Sequence, residues 1–153
     1  MRYIENQLTY EDYCALRASV EWLNFSEEQT RKALCNSLYT ITVQEDSRVD
    51  VAGETLAETA SETRTIAMGR LVGDGLYYLI VDVVVHPKYQ GRGIGSSIMD
   101  KLLGFVEAET PVGGRSSVQL IAEKGKEEFY IKKGFKLIPH EYCGSGMRKV
   151  VRK

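Results

Sequence analysis

Glycine stands at three alternate positions in the segment Gln90-Gly91-Arg92-Gly93-Ile94-Gly95-Ser96-Ser97. Alternate glycines let a backbone turn tightly and approach a ligand closely, with amide N–H groups pointing outward. Arg92 adds a full positive charge and the helix expected behind the loop adds a partial one. Together they form an anion cradle suited to a pyrophosphate. A P-loop is a poor fit, because no lysine precedes Ser96. A Rossmann dinucleotide site has one supporting residue, Glu123, where a ribose-binding acid would sit. Its glycine loop should follow the strand directly, however, and here His86 to Gln90 intervene. Too few residues follow for the remaining βαβ units.

Asp82 is the second residue with chemical promise. A lone carboxylate inside the apolar run Leu79-Ile80-Val81-Asp82-Val83-Val84-Val85 is costly to bury unless paired or used. It would attract an ammonium group or take its proton through water. The alternative is a structural ion pair with Arg70 or Arg17. His140 carries an imidazole, the side chain that titrates nearest neutrality, although a loop histidine is more often simply solvated. The three cysteines, Cys14, Cys35 and Cys143, form no CxxC pair, and the two histidines lack zinc-ligand spacing. We expect reduced thiols, no cysteine nucleophile and no metal.

The elements that must hold these residues follow from periodicity and punctuation. Residues 2–6 read as a short strand. Thr9 caps a helix to about Val20 with Tyr13, Leu16 and Val20 on one face, and Ser26 with Gln29 opens a second helix carrying Ala33 and Leu34 inward. Residues 37–44 are β-branched and aromatic, hence a strand. Residues 45–63 lack an apolar period and read as an acidic, mobile loop. A hairpin then turns at Gly73-Asp74-Gly75 between strands 65–72 and 76–85. Ile94, Ile98, Leu102, Phe105 and Val106 share one face of a helix over 94–109 that stops before Pro111. A strand at 118–122, a helix over 126–133 closed by Gly134, and closing strands at 135–138 and 147–151 complete the chain. The resulting order is βααβββαβαββ, an α/β (α+β) mixed sheet in a single domain over residues 1–153.

Composition sets outer limits. The chain has 153 residues, 43% hydrophobic and 27% charged, with a net charge of −1. This is ordinary globular composition, with a core large enough to need no staples. No apolar run reaches the length of a bilayer span, and the acidic N-terminus is unlike a signal peptide. We therefore expect a cytoplasmic protein with no membrane partner. The small net charge hides an asymmetry: residues 1–62 carry −7 and residues 63–153 carry +6. A basic half suits an anionic cofactor and an acidic half a cationic partner, unless the two are merely solvated faces. The balance is too mild for nucleic-acid binding.

The segment Val85-His86-Pro87-Lys88-Tyr89-Gln90-Gly91-Arg92-Gly93-Ile94-Gly95 resembles the acyl-CoA motif of the GCN5-related N-acetyltransferases, V-x-P-x-x-Q/R-G-x-G-x-G/A. Phe129-Tyr130-Ile131-Lys132-Lys133-Gly134-Phe135 is similar to the family's later Y-x-x-x-G-F segment, at a fitting distance. The element order matches over nearly the whole chain. One position departs, because Glu123 stands where many members carry Asn.

The resemblance implies a splayed parallel strand pair, 79–85 and 118–122, with the pantetheine arm of acetyl-CoA in the opening. Val83 and Val85 would offer backbone groups to that arm. Amides of Gln90, Gly91, Arg92, Gly93, Ile94 and Gly95, with Ser96 and Ser97 nearby, would bind pyrophosphate, and Lys124 and Lys126 would reach the 3′-phosphate. Tyr130 would give a proton to the departing thiolate, as a phenol with pKa about 10 suits that task; the alternative is a packed helix tyrosine. Trp22, Asn24 and Phe25 would shape the acceptor pocket, the alternative being a staple or core role, with His140 and Tyr142 in a loop closing over it.

The expected activity is acetyl transfer from acetyl-CoA to a primary amine of a small cationic acceptor, by direct attack without an acyl-enzyme. Polyamines, arylalkylamines, amino sugars and peptide amines are all candidates. The alternative is an acyl-CoA sensor module of the same fold without turnover, with a nucleotide-binding regulatory domain as a third option. The presence of Tyr130 favours the enzyme. A homodimer is common in proteins resembling this one.

Overall fold

A computed structural model describes residues 1–48 and 61–152. They divide into two compact units, Met1–Leu120 and Ile121–Lys153. The first unit contains β1 (Arg2–Glu5), α1 (Tyr10–Ser19), α2 (Glu27–Cys35), β2 (Tyr39–Arg48), β3 (Ser61–Gly73), β4 (Tyr77–Val85), α3 (Ile94–Glu109) and β5 (Ser117–Leu120). A single 3-10 turn, Pro87–Tyr89, separates β4 from the glycine loop. The five strands lie in sequence order, antiparallel throughout except for the parallel pair β4–β5.

Local signals place most boundaries. Thr9 caps α1 by accepting from the Asp12 amide at 3.1 Å. Ser26 caps α2 by accepting from the Gln29 amide at 3.3 Å. The β3–β4 turn closes on Asp74, whose carboxylate accepts from the Leu76 and Tyr77 amides at 3.0 and 2.9 Å. Those two bonds favour its ionised form and hold its carboxyl below the usual range.

Helices cover both faces of the sheet. Met68 joins Tyr13, Leu16 and Val84 in a cluster beneath α1. Its neighbour Gly69 points the other way, since adjacent strand residues face opposite sides. A Cβ at Gly69 would lie 2.5 Å from the Ile98 side chain of α3, so glycine lets that helix sit directly on β3.

Two expectations are corrected. The span 45–63 is not a loop throughout: residues 45–48 and 61–63 are paired strand, with Glu45 opposite Arg64 and Arg48 opposite Ser61. Hydrogen bonding between facing backbones sustains a ladder there without an apolar period. The remainder of that span lies outside the described residues.

The second correction concerns the C-terminal unit. It holds α4 (Glu127–Ile131), turned at Gly134 with φ 88°. The expected strands at 135–138 and 147–151 do not form, and the segment shows one isolated bridge, His140 with Cys143. Leu137, Met147, Val150 and Val151 are all exposed, so β-prone residue types there bury no face that would stabilise a ribbon. Among the described residues, no helix is long and apolar enough to cross a membrane.

Candidate functional site

The parallel pairing of β4 with β5 runs from Tyr77 opposite Ser117 to Ile80 opposite Leu120, the last residue of the first unit. Beyond Ile80, residues 81–85 of β4 pair with β3 alone within that unit. The register also slips there: Arg70 faces Val81 and Met68 faces Val84, so Asp82 and Val83 together oppose Gly69. This is a β-bulge, which bends its strand and re-aims its side chains. Asp82 adopts φ 52°, a left-handed conformation that L-residues avoid.

What holds Asp82 there is a buried polar cluster. Its carboxylate accepts from Arg17 Nη1 at 2.7 Å, Arg70 Nε at 3.0 Å and the Tyr13 hydroxyl at 3.3 Å. Arg70 also donates to the Ala33 carbonyl and to Ser37 Oγ, which ties α2 to the bulge. Burial first, and then the Asp82 charge, push the Tyr13 phenol above its usual value. The two readings of Asp82 thus meet a definite geometry: the ion-pair partners named from sequence are both present. Both carboxylate oxygens are engaged, which is the arrangement of an anchor and not of a free proton acceptor. Tyr13 was not anticipated, although its i, i+4 spacing to Arg17 on one face of α1 was a readable signal.

Arg17 reaches further. Its Nη2 donates to the Leu23 carbonyl at 2.8 Å, and its guanidinium lies 5.2 Å from the Trp22 ring centroid and 5.0 Å from that of Phe25. Asn24 donates from Nδ2 to the Cys14 carbonyl at 3.2 Å. The expected acceptor-side residues Trp22, Asn24 and Phe25 are therefore folded back onto α1, with Phe25 still exposed.

At the other end of β4, Gln90 Nε2 donates to the Val85 carbonyl at 3.0 Å and closes the approach to the glycine loop. Gly91 and Gly93 take φ 77° and 78°, and a Cβ at either would meet nothing within 4 Å. Backbone conformation, not crowding, is what requires glycine there. Gly93 caps the start of α3 and supplies no side-chain acceptor for the first amides of that helix. Ile94 anchors the turn in the core, whereas Gly91, Arg92 and Gly93 are exposed. Arg92 donates to the Lys88 carbonyl at 3.2 Å and stacks 5.0 Å over Tyr89. Ser96 and Ser97 follow in the first turn of α3. A separate cavity of about 430 Å³ lies on the other flank of α1, lined by Asp12, Ser19, Arg64 and His86 among others.

Lys126, Tyr130, His140 and Tyr142 belong to the second unit. Lys126 is the residue before the first turn of α4. Tyr130 is half-buried, edge-on to Phe129 and Phe135 at 5.0 and 6.2 Å. Burial, followed by the Glu123 carboxylate, holds its phenol above the usual value, so the phenol keeps its proton at neutral pH. His140 and Tyr142 are exposed, and His140 Nδ1 accepts from the Tyr142 amide at 3.4 Å.

Comparison with known proteins agrees with this architecture. The acetyltransferase (GNAT) domain pattern matches residues 41–137. Serotonin N-acetyltransferase 2 of Oryza sativa subsp. japonica, a chloroplastic protein, is 34% identical over 119 residues, covering 77% of this chain and 52% of that one. The chain spans about half the length of that relative. A probable acetyltransferase of meticillin-resistant Staphylococcus aureus superposes with a TM-score of 0.72 at 30% identity, over 97% of this chain and 98% of that one. A GNAT family acetyltransferase of Streptococcus pneumoniae gives 0.71 at 28% identity, over 99% and 98%. A matched domain pattern, a full-length structural likeness and a glycine loop between an open strand edge and α3 lead to one family: the chain belongs to the GCN5-related N-acetyltransferases.

Proposed function

We propose that this chain is an acetyl-CoA-dependent N-acetyltransferase that moves the acetyl group directly onto a primary amine, with no acyl-enzyme between. One observation carries the reading. The strand edge at residues 81–85 continues, within the five residues 86–90, into the glycine loop and the uncapped start of α3. An open strand edge pairs with an amide-bearing arm as it would with another strand, so Val83 and Val85 hold the pantetheine portion. Amides of residues 90–95, with Ser96 and Ser97, hold the pyrophosphate, and Lys126 meets the 3′-phosphate. Acetyl-CoA supplies a thioester whose C–S bond breaks as the new C–N bond forms.

The remaining steps belong to the chain's own groups. The Tyr130 hydroxyl gives its proton to the leaving sulfur, the proton lost by the amine goes to water, and water returns one to the Tyr130 phenolate. Asp82 fixes the bulge and does not itself take that proton. Residues 1–153 act as one catalytic domain, and a homodimer is the assembly we favour. Trp22, Asn24 and Phe25 are the acceptor-side residues of this reading, together with His140 and Tyr142. Arg17 and Arg70 outweigh Asp82 by one positive charge, which disfavours a polyamine and suits an aromatic monoamine set against Trp22 and Phe25. The rice relative is named for such an amine, serotonin.

Thiol release from acetyl-CoA, measured with serotonin, tryptamine, spermidine and glucosamine 6-phosphate, tests the reading. We expect the arylalkylamines to lead. Tyr130→Phe should lower kcat about 100-fold, the scale of general acid catalysis, with acetyl-CoA affinity unchanged. A kcat within twofold of wild type removes Tyr130 from the mechanism. Saturable CoA binding with no thiol release from any of the four amines would make the chain a sensor.

A further inference from the structure

Among the described non-glycine residues, left-handed backbone occurs at Asn6, Glu21 and Asp82. Two of these strained positions, Glu21 and Asp82, are joined through one residue, Arg17. Arg17 donates from Nη1 to Asp82 Oδ1 at 2.7 Å and from Nη2 to the Leu23 carbonyl at 2.8 Å. Its backbone carbonyl accepts from the Trp22 amide at 3.0 Å, which closes the turn containing Glu21. The residue is only 8% exposed, and its side-chain Nε has no hydrogen-bond partner. Three rings surround its guanidinium, those of Tyr13, Trp22 and Phe25, at 5.0 to 5.4 Å. Strained conformations persist only where the surroundings over-determine them. Here Arg17 contributes to both, through its guanidinium at Asp82 and through its backbone carbonyl at the Glu21 turn.

We propose that Arg17 is a positioning residue that couples the 20–25 segment to the β4 bulge, so that ligand on the strand edge beside the bulge is felt at Trp22. The proposal rests on the cofactor reading given above. The physical basis is the rigid fork of arginine. Its two terminal nitrogens lie in one plane, so a shift of Asp82 rotates the nitrogen that holds Leu23. The route is short and each joint is a charge-assisted hydrogen bond. Arg70 gives the bulge a second hold, on α2, and among the described residues its hydrogen bonds go to Asp82, Ala33 and Ser37 and not to the 20–25 segment. By linkage, a segment that responds to cofactor must alter cofactor affinity in return when acceptor engages it.

Trp22 is the only tryptophan of the chain, so its emission reports this segment alone. The test adds coenzyme A to wild type and to Arg17→Lys, following Trp22 fluorescence and calorimetric binding together. Lysine keeps a charge beside Asp82 but cannot hold Asp82 and Leu23 at once. We expect CoA to change wild-type emission in step with binding. Arg17→Lys should retain CoA affinity within about threefold while losing the fluorescence change. Binding with silent Trp22 in wild type, or an undiminished response in Arg17→Lys, would overturn the coupling and leave the cofactor reading intact. Absence of any CoA binding to wild type would overturn both. Should Arg17→Lys fail to fold, hydrogen exchange of wild type decides: CoA should slow the amides of residues 21–25 several-fold, and unchanged exchange there rejects the proposal.

Discussion

The bulge at Asp82 and the loop at Gly91–Gly93 both place backbone in the left-handed region, yet they do so by opposite means. At the bulge an L-residue is held at φ 52° by two guanidiniums and a phenol inside the core. In the loop, glycines take φ 77° and 78° with empty space around them and little side-chain support. The contrast teaches where a site stores its rigidity. The strand at Asp82 is braced by buried charge, whereas the glycine loop is left unfilled and conformationally cheap. Substitutions should therefore separate stability from affinity along a few residues of one strand and its loop.

The largest effect is expected at Asp82. Asp82→Ala leaves Arg17 and Arg70 buried without a counter-charge, and breaking such a pair costs about 3–5 kcal/mol. Urea denaturation should show a fall of that order; a loss below about 1 kcal/mol would mean the cluster does not brace the bulge. High pH probes buried phenols without mutation. Tyr13 and Tyr130 are pushed above the usual tyrosine value and Tyr39 up to about 12, with burial as the leading cause for each. Above about pH 10 the unfolded chain loses these phenol protons while the fold retains them. The fold then binds more protons than the unfolded chain, so stability present below pH 10 should be lost as pH rises toward 12. Denaturation midpoints at pH 8 and pH 10.5 check this, and equal midpoints would contradict it.

Loop substitutions should act more weakly on the fold. Gly93→Ala meets no neighbour but pays the left-handed penalty of about 1–2 kcal/mol; a neutral result in urea would show that the loop relaxes away from φ 78°. Arg92→Ala should be the mildest for stability, within about 0.5 kcal/mol, as for other exposed positions. It should weaken acetyl-CoA binding about tenfold, the scale of a hydrogen bond to a charged group. Unaltered affinity in calorimetry would detach Arg92 from the cradle and sharpen the contrast, leaving the loop's part to backbone amides alone.

Much of the scaffold was legible because its signals are local. Thr9 and Ser26 cap the two helices they were expected to cap, and α3 runs over the anticipated Ile94–Glu109. The glycine loop sits between β4 and α3 as its spacing required. Residues 45–48 and 61–63 were misread because ladder hydrogen bonds leave no trace in hydrophobic periodicity. The closing strands failed for the converse reason: residues such as Val150 and Val151 favour strands, but propensity without a buried face does not hold a ribbon.

Sequence alone determined the glycine cradle, the helix caps and the presence of a carboxylate in an apolar strand, since each depends on residue type within a few positions. Which of its possible partners Asp82 would take was a different kind of question. Arg17 and Arg70 lie 65 and 12 positions away along the chain, and only the packing of α1 and β3 around the bulge brings both to one carboxylate. Chain neighbours specify local geometry, but the meeting of distant charges is decided by the core that excludes water around them.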